Sequence, residues 1–286
     1  MNRANPPDAA PFPAHRQPPE AASGGRSLDI ADIAAALGDL ARRFDVDILA
    51  ECDSTNARLL ALAEAGAAAG SVLVAERQTA GRGRRGRAWL SASGDSLTFS
   101  LLWRFRPNLP LSGLSLAVGV ALARALESLG IHGIALKWPN DVLLNGRKLA
   151  GVLIEIAPGT RPEAVVIGVG MNLRLPREMP EAIRQSAAAL AEAGIAWETA
   201  SILLARLLAA LHEVLQSFAA EGFASLREEW LMRHAYAGQM VHLLSDFAPP
   251  LQGRCLGVDR DGALLLETSA GLQRIVSGEV SLRMAR

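Results

Sequence analysis

Cysteine is almost absent: Cys52 and Cys255 are the only two in 286 residues. That count speaks against a disulfide-stapled secreted scaffold and suits a reducing cytoplasm, with a single disulfide left open. Net charge is absent too. The 29 Lys and Arg balance 29 Asp and Glu, so the chain as a whole has no pull on a polyanion. No apolar run approaches the about 18 residues of a membrane span, and no basic segment followed by an apolar one opens the chain. Both absences read as a soluble, cytoplasmic protein without a membrane partner. The five histidines (His15, His132, His212, His234, His242) lack metal-ligand spacing, so no resident metal site is expected. Neither a G-x-S-x-G elbow nor a Ser/His/Asp arrangement stands out.

What is present is 50% hydrophobic and rich in alanine, and long enough for one large domain with a small one behind it. Residues 1–27 hold six prolines and Ser23-Gly24-Gly25 and read as a disordered tail. Ile30, Ile33, Leu37, Leu40 and Phe44 follow helical spacing. Strands are expected at 46–52, 71–77, 97–105 and 165–175, the last with glycines where something can approach the backbone. Leu114, Val118, Leu122 and Leu129 share one face of a helix. Gly119 inside it costs about 1 kcal/mol against alanine unless close packing requires it. Asn145-Gly146 signals a type I′ hairpin turn. Residues 198–219 and 223–232 read as helices. From Tyr236 the pattern changes to short β segments at 238–244, 251–259, 262–268 and 271–277, a small barrel-like module. The expected organisation is tail (1–27), main domain (28–235) and β module (236–286).

Three stretches carry candidate chemistry. In Gln78-Thr79-Ala80-Gly81-Arg82-Gly83-Arg84-Arg85-Gly86-Arg87-Ala88-Trp89, glycines and arginines interleave. Glycine lets backbone N–H groups come close to a ligand, and arginine supplies a fork of donors for carboxylate and phosphate oxygens. Like charges on a glycine-rich segment predict a loop that is mobile until an anion orders it. Its Gly81-x-Gly83-x-x-Gly86 spacing also matches a dinucleotide fingerprint, but a strand rather than a helix is expected after it. A nucleic-acid contact would rest on this basic loop alone, with only Trp89 to stack on a base. Asp53-Ser54-Thr55-Asn56 opens a helix: Ser54 is a natural N-cap, and the row equally suits a polar ligand head such as a urea or amide. Lys137-Trp138-Pro139-Asn140-Asp141 sets a polar cluster between two strands.

Taken in order, four segments resemble the biotin–protein ligase family over roughly residues 46–175. They are 53–56, 78–89, Lys137 to Asp141 with Arg147-Lys148-Leu149-Ala150-Gly151, and 168–172. The resemblance implies an α+β fold: a class II aminoacyl-tRNA synthetase-like catalytic domain, a mixed sheet with helices, followed by a small SH3-like β-barrel. It implies that biotin and Mg-ATP give biotinyl-5′-AMP and pyrophosphate, and that the acyl group then passes to a lysine of a biotin carboxyl carrier domain. Carried onto matching positions, Ser54, Thr55, Asn56 and Gln78 would contact biotin, with Arg82, Gly83 and Arg84 over its carboxylate. Arg87, Trp89, Lys137, Asn140 and Asn172 would face the nucleotide. Lys148 would reach the carboxylate and the reacting phosphate. Lys148, Arg84 and Asp141 form the catalytic set, Asp141 as the group that orients or deprotonates the acceptor lysine, or binds Mg²⁺, or holds the strand turn. A lipoate or octanoate transferase of the same fold is the neighbouring alternative. Only one amphipathic helix precedes Asp53, too little for the helix-turn-helix of the family's repressor members, so no DNA partner is expected. Monomer and homodimer both stay open.

Overall fold

The computed structural model describes residues 28–159, 163–176, 178–194, 199–245, 249–276 and 280–284; the proline-rich segment 1–27 lies outside them. The main sheet contains β1 (Asp45–Cys52), β2 (Ser71–Gln78), β3 (Ser96–Phe105), β4 (Ile134–Lys137), β5 (Asp141–Leu144), β6 (Arg147–Ile156) and β7 (Glu163–Asn172). Their order is β1-β2-β3-β7-β6-β5-β4. β1 and β2 run parallel and the other neighbours antiparallel, a mixed sheet as expected.

The alternation of side chains on the central strands decides where the cavity lies. From β3 and β7, Leu97, Phe99, Leu101, Val165, Ile167 and Val169 enter a large core. That core also takes in α1 (Ile30–Leu37), α3 (Leu114–Ser128) and α5 (Ala200–Glu221). The alternating set includes Thr98, Ser100, Gly168 and Gly170, whereas Leu102, Ala164 and Val166 pack in a second, small core with Leu59 and Ala63 of α2 (Thr55–Glu64). One end of that face is filled by large side chains. The other carries hydroxyls and glycines, and it is left hollow.

Local signals behave as their chemistry dictates. Asn145 and Gly146 take φ of 48° and 78°, the left-handed pair a type I′ turn needs between β5 and β6. A Cβ on Gly119 would lie 3.4 Å from Leu136, so this glycine sits where helix and strand pack closely. Residues 200–232 are long and apolar enough to cross a membrane. Leu203, Leu207, Leu211 and Phe218 of α5 are nevertheless buried in the core, which accounts for the apolarity.

The C-terminal sheet holds β8 (Met240–Ser245), β9 (Leu251–Val258), β10 (Leu264–Thr268), β11 (Gly271–Ile275) and β12 (Val280–Met284), ordered β11-β10-β9-β8-β12 and antiparallel throughout. Sequence patterning anticipated four of these strands and missed β12. Val241, Leu243, Val258 and Leu264 join the same core as the main sheet. Trp138 Nε1 donates to the Gly262 carbonyl at 3.1 Å, and Arg227 Nε to that of Val258 at 2.8 Å. Cys52 and Cys255 are both buried and free, so the disulfide left open by the sequence does not form.

Candidate active site

A cavity of about 380 Å³ opens over the hollow end of the sheet. Its floor begins at α2. Ser54 Oγ accepts from the Ala57 amide at 3.4 Å and caps the helix, and the same residue lines the cavity. Cap and ligand wall, posed as alternatives by the sequence, coincide. Thr55 and Asn56 follow, 3% and 4% exposed, and both are wired into the sheet. Gln78 Oε1 accepts from the Thr55 amide at 2.8 Å. Ser100 Oγ lies 2.7 Å from Thr55 Oγ1 and 2.6 Å from Asn56 Oδ1. Asn56 Nδ2 donates to Glu155 Oε2 at 2.8 Å. With a longer bond from Asn56 Nδ2 to Leu153 O at 3.4 Å, both ends of the Asn56 amide are engaged, and Gln78 keeps its NH₂ for a ligand carbonyl.

The glycines of β7 make room for side chains of this chain. A Cβ on Gly168 would fall 2.2 Å from Asn56 Oδ1, and one on Gly170 would fall 2.3 Å from the Trp89 ring. The Trp89 indole therefore lies flat on the sheet backbone, where its Nε1 is buried without a partner. An orphan buried donor is costly, and one beside a cavity is a natural contact for an incoming acceptor.

The glycine–arginine stretch forms a narrow hairpin. Its rungs are Trp89 N to Gly81 O (2.9 Å), an antiparallel bridge from Arg82 to Ala88, and Gly83 N to Arg87 O (2.7 Å). Gly81 is required, because a Cβ there would meet the Trp89 carbonyl at 2.6 Å. At the tip, Arg85 takes φ 60°, a left-handed conformation uncommon for any residue other than glycine. No helix follows, since a 3-10 turn over Arg84–Gly86 leads on to β3; this removes the dinucleotide reading. Gly83, Arg84, Arg85 and Arg87 all line the cavity.

Opposite the hairpin stand two lysines and a carboxylate. Lys148 Nζ is 2.6 Å from Asp141 Oδ1 and 5.7 Å from the Trp89 ring centroid; Lys137 Nζ is 3.5 Å from Asp141 Oδ2. Lys148 owes its position to a β-bulge: the register between β5 and β6 slips at Val142/Leu143, so that Leu149 and Ala150 are both buried beside it. Its amide donates to Ser186 O and its carbonyl accepts from Ala188, both at 2.8 Å, which pins the backbone. Burial disfavours the Lys137 charge and lowers its pKa, and Arg283 and Lys148 act in the same direction. Burial also works against the Asp141 carboxylate, but Lys148 and Lys137 outweigh it and hold its pKa below the usual carboxylate range. Asn140 Nδ2 donates to Val152 O at 2.8 Å, fixing that side chain at the cavity wall.

One sequence candidate is not brought to the cavity. Asn172 is buried at 7% exposure, and its amide donates to the carbonyls of Ala188 (3.0 Å) and Lys148 (3.3 Å). It braces the Lys148 backbone from behind. Sequence reasoning in turn overlooked Tyr236, Leu282 and Arg283, which line the cavity from the C-terminal side. It also overlooked Ser100 and Glu155. A serine at a strand centre and a glutamate near a strand end carry no local signal; their partners lie 44 and 99 residues away.

Comparison with known proteins agrees with this geometry. Residues 49–172 match the model of the biotin/lipoate A/B protein ligase family, and residues 236–283 match that of the biotin protein ligase C-terminal domain. The bifunctional ligase/repressor BirA of Salmonella typhimurium is 38% identical over 244 residues, 84% of this chain and 75% of that protein. The biotin–[acetyl-CoA-carboxylase] ligase of Paracoccus denitrificans is 36% identical over 248 residues, 82% of this chain and 98% of that protein. Among solved structures, biotin protein ligase from Aquifex aeolicus in complex with biotin and ATP superposes with a TM-score of 0.73 at 35% identity. That match covers 84% of this chain and 99% of the other.

Proposed function

We propose a mechanism from one premise: this chain belongs to the biotin/lipoate A/B protein ligase family. It is a biotin–protein ligase, which activates biotin with ATP as biotinyl-5′-AMP and transfers the biotinyl group to a lysine of a carboxyl carrier protein. The observation that carries the residue assignments is the convergence of the four motif segments on one cavity.

The first step needs no general base, because a carboxylic acid is already ionised at pH 7. It needs two anions brought together and the departing pyrophosphate stabilised, which fixed cations do without reorganisation. We assign biotin's ureido head to Thr55, Gln78 and the neighbouring floor. Its carboxylate goes to Lys148 and the hairpin at Gly83 and Arg84. Trp89, Arg87, Lys137 and Asn140 take the nucleotide, with Trp89 Nε1 as the donor in need of a partner. Arg283, from β12, joins this set because it lines the cavity near Lys137. Asn172 acts behind Lys148 and touches neither substrate. Mg²⁺ enters with the ATP phosphates as part of the co-substrate. Asp141 is an unsuitable ligand for it, since two ammonium groups already occupy that carboxylate.

The second step needs a neutral acceptor amine. Asp141 is a weak base for this task, as its lysine partners hold it ionised; we assign it the orientation of Lys148. The boundary between catalytic domain and β module falls at 235/236, in line with the change of strand pattern there, and a cytoplasmic location fits two free thiols.

The test is biotin-dependent ATP–pyrophosphate exchange, followed by transfer of labelled biotin to a carrier domain. Lys148→Ala is expected to lose exchange almost completely while staying folded, with stability lowered by about 1–3 kcal/mol because the Asp141 carboxylate loses its 2.6 Å partner. Normal exchange by this variant would remove Lys148 from the chemistry.

A further inference from the structure

Glu155 has no role in the reaction as described, yet it stands where two parts of the site meet. On one oxygen it receives Asn56 Nδ2 at 2.8 Å; Arg82 Nη2 lies 3.1 Å from one carboxylate oxygen and 3.2 Å from the other. Asn56 belongs to the cavity floor and Arg82 to the base of the hairpin. The floor is a continuous hydrogen-bonded chain across four separate elements. An amide oxygen only accepts, so Ser100 gives its single proton to Asn56 Oδ1. Thr55 Oγ1 lies 2.7 Å from Ser100 Oγ and 3.1 Å from Gln78 Oε1, and the Thr55 amide also donates to Gln78 Oε1 at 2.8 Å. The sequence of contacts runs Gln78, Thr55, Ser100, Asn56, Glu155, Arg82.

We infer that Glu155 is a positioning residue which ties the biotin-head floor to the hairpin, so that seating biotin on the floor and closing the hairpin over it favour one another. This rests on the biotin-ligase reading above. Three features support it. Ser100 is fully buried and Asn56 is 4% exposed, so their proton directions are constrained by one another rather than by water. A Cβ on Gly168 would fall 2.2 Å from Asn56 Oδ1, so Asn56 rests directly on the β7 backbone. Arg82 is the lowest arginine of the hairpin, next to the Gly81–Trp89 rung, where a tether controls the whole loop. Pairing Arg82 with Glu155 also removes one positive charge from a segment of four arginines, which eases the repulsion that opposes the closed hairpin.

Glu155→Gln keeps size and an oxygen for Asn56 but loses the ion pair. Losing one charge-assisted contact of this kind corresponds to about tenfold or more in an equilibrium. The expected result is about tenfold higher KM for biotin and a similar acceleration of biotinyl-AMP release, with kcat for pyrophosphate exchange within about twofold. A role in folding alone would not separate KM from kcat in this way. Trypsin gives a second readout, because the hairpin holds Arg84 and Arg85: biotin should protect wild-type protein at these bonds and protect Glu155→Gln far less. Arg82→Gln, which also removes a cavity-lining cation, should raise the KM for biotin at least as much as Glu155→Gln, and adding Glu155→Gln to it should raise that KM no further, since the shared contact is already lost. Unchanged biotin KM and full protection by biotin in Glu155→Gln, with an intact melting curve, would overturn the inference. Wild-type protein without biotin-dependent exchange would instead overturn the ligase reading itself, so the two failures are distinguishable.

Discussion

Arg84 opens the 3-10 turn at the hairpin tip and lines the cavity next to Gly83. An acyl-adenylate is a reactive mixed anhydride that must stay shielded until the acceptor arrives. Replacing Arg84 by Gly removes a charged contact and raises the entropy of the open loop. Release of biotinyl-AMP is expected to accelerate about ten- to a hundredfold, and bystander proteins incubated with the variant, biotin and ATP should show biotinylated lysines on a blot. Labelling confined to the carrier would contradict this. A second residue acts on stability rather than chemistry. His234 is 8% exposed, lies 3.5 Å from Cys255 Sγ through Nε2 and stacks on Trp230 at 4.6 Å. Burial lowers its pKa to about 4. The unfolded chain, with histidine near 6.5, then binds more protons than the fold between these values, so stability present above pH 6.5 is lost as pH falls toward 4. The loss amounts to about 3 kcal/mol from this group alone. His234→Phe should flatten that part of a denaturation-midpoint profile and leave the profile above pH 7 unchanged.

Among the elements, β7 carries the widest consequences. It spans the centre of the main sheet, and its two faces have opposite tasks. Val165, Ile167 and Val169 fill the core, while Gly168 and Gly170 receive Asn56 and Trp89. Adding a methyl group at Gly168 forces Asn56 off its bonds with Ser100 and Glu155. Overpacking of this kind costs about 1–3 kcal/mol. Gly168→Ala should therefore melt earlier and raise the KM for biotin more than the KM for ATP. Equal effects on the two would mean that Asn56 does not organise the biotin floor. The hairpin at Asn145-Gly146 works at this scale too. It returns β6 alongside β5, and the bulge that follows brings Lys148 to Asp141.

For the molecule as a whole, the contact between main sheet and C-terminal module determines how the cavity is closed. Gly262 takes φ 81°, and a Cβ on it would fall 2.7 Å from Gly113 Cα, backbone against backbone. The Gly262 carbonyl accepts from the buried Trp138 indole, next to the polar cluster of Asn140 and Asp141. Gly262→Ala should push the module away from the turn before α3 and shift Tyr236, Leu282 and Arg283 together. The expected outcome is a loss of about 1–3 kcal/mol and a higher KM for ATP, read by melting and by exchange kinetics. An unchanged KM for ATP would show that the module only supports the fold.

Residues adjacent in the chain made much of this protein readable from its sequence. Ser54 as a helix cap, the I′ turn at Asn145-Gly146, the interleaved glycines and arginines and the strand-rich end all follow from short-range backbone preferences and charge. The same short motifs, in order, were enough to point to biotin and ATP. Tertiary structure decided what lies between them. It made Glu155 the partner of Asn56 and Arg82, buried Ser100 under the floor, brought Arg283 from β12 to the cavity wall and turned Asn172 away from the cavity. Side-chain alternation shows that a strand has two faces but not which one will be hollow. That depends on which helix covers each face and how far along it reaches, a property of packing between residues distant in the chain.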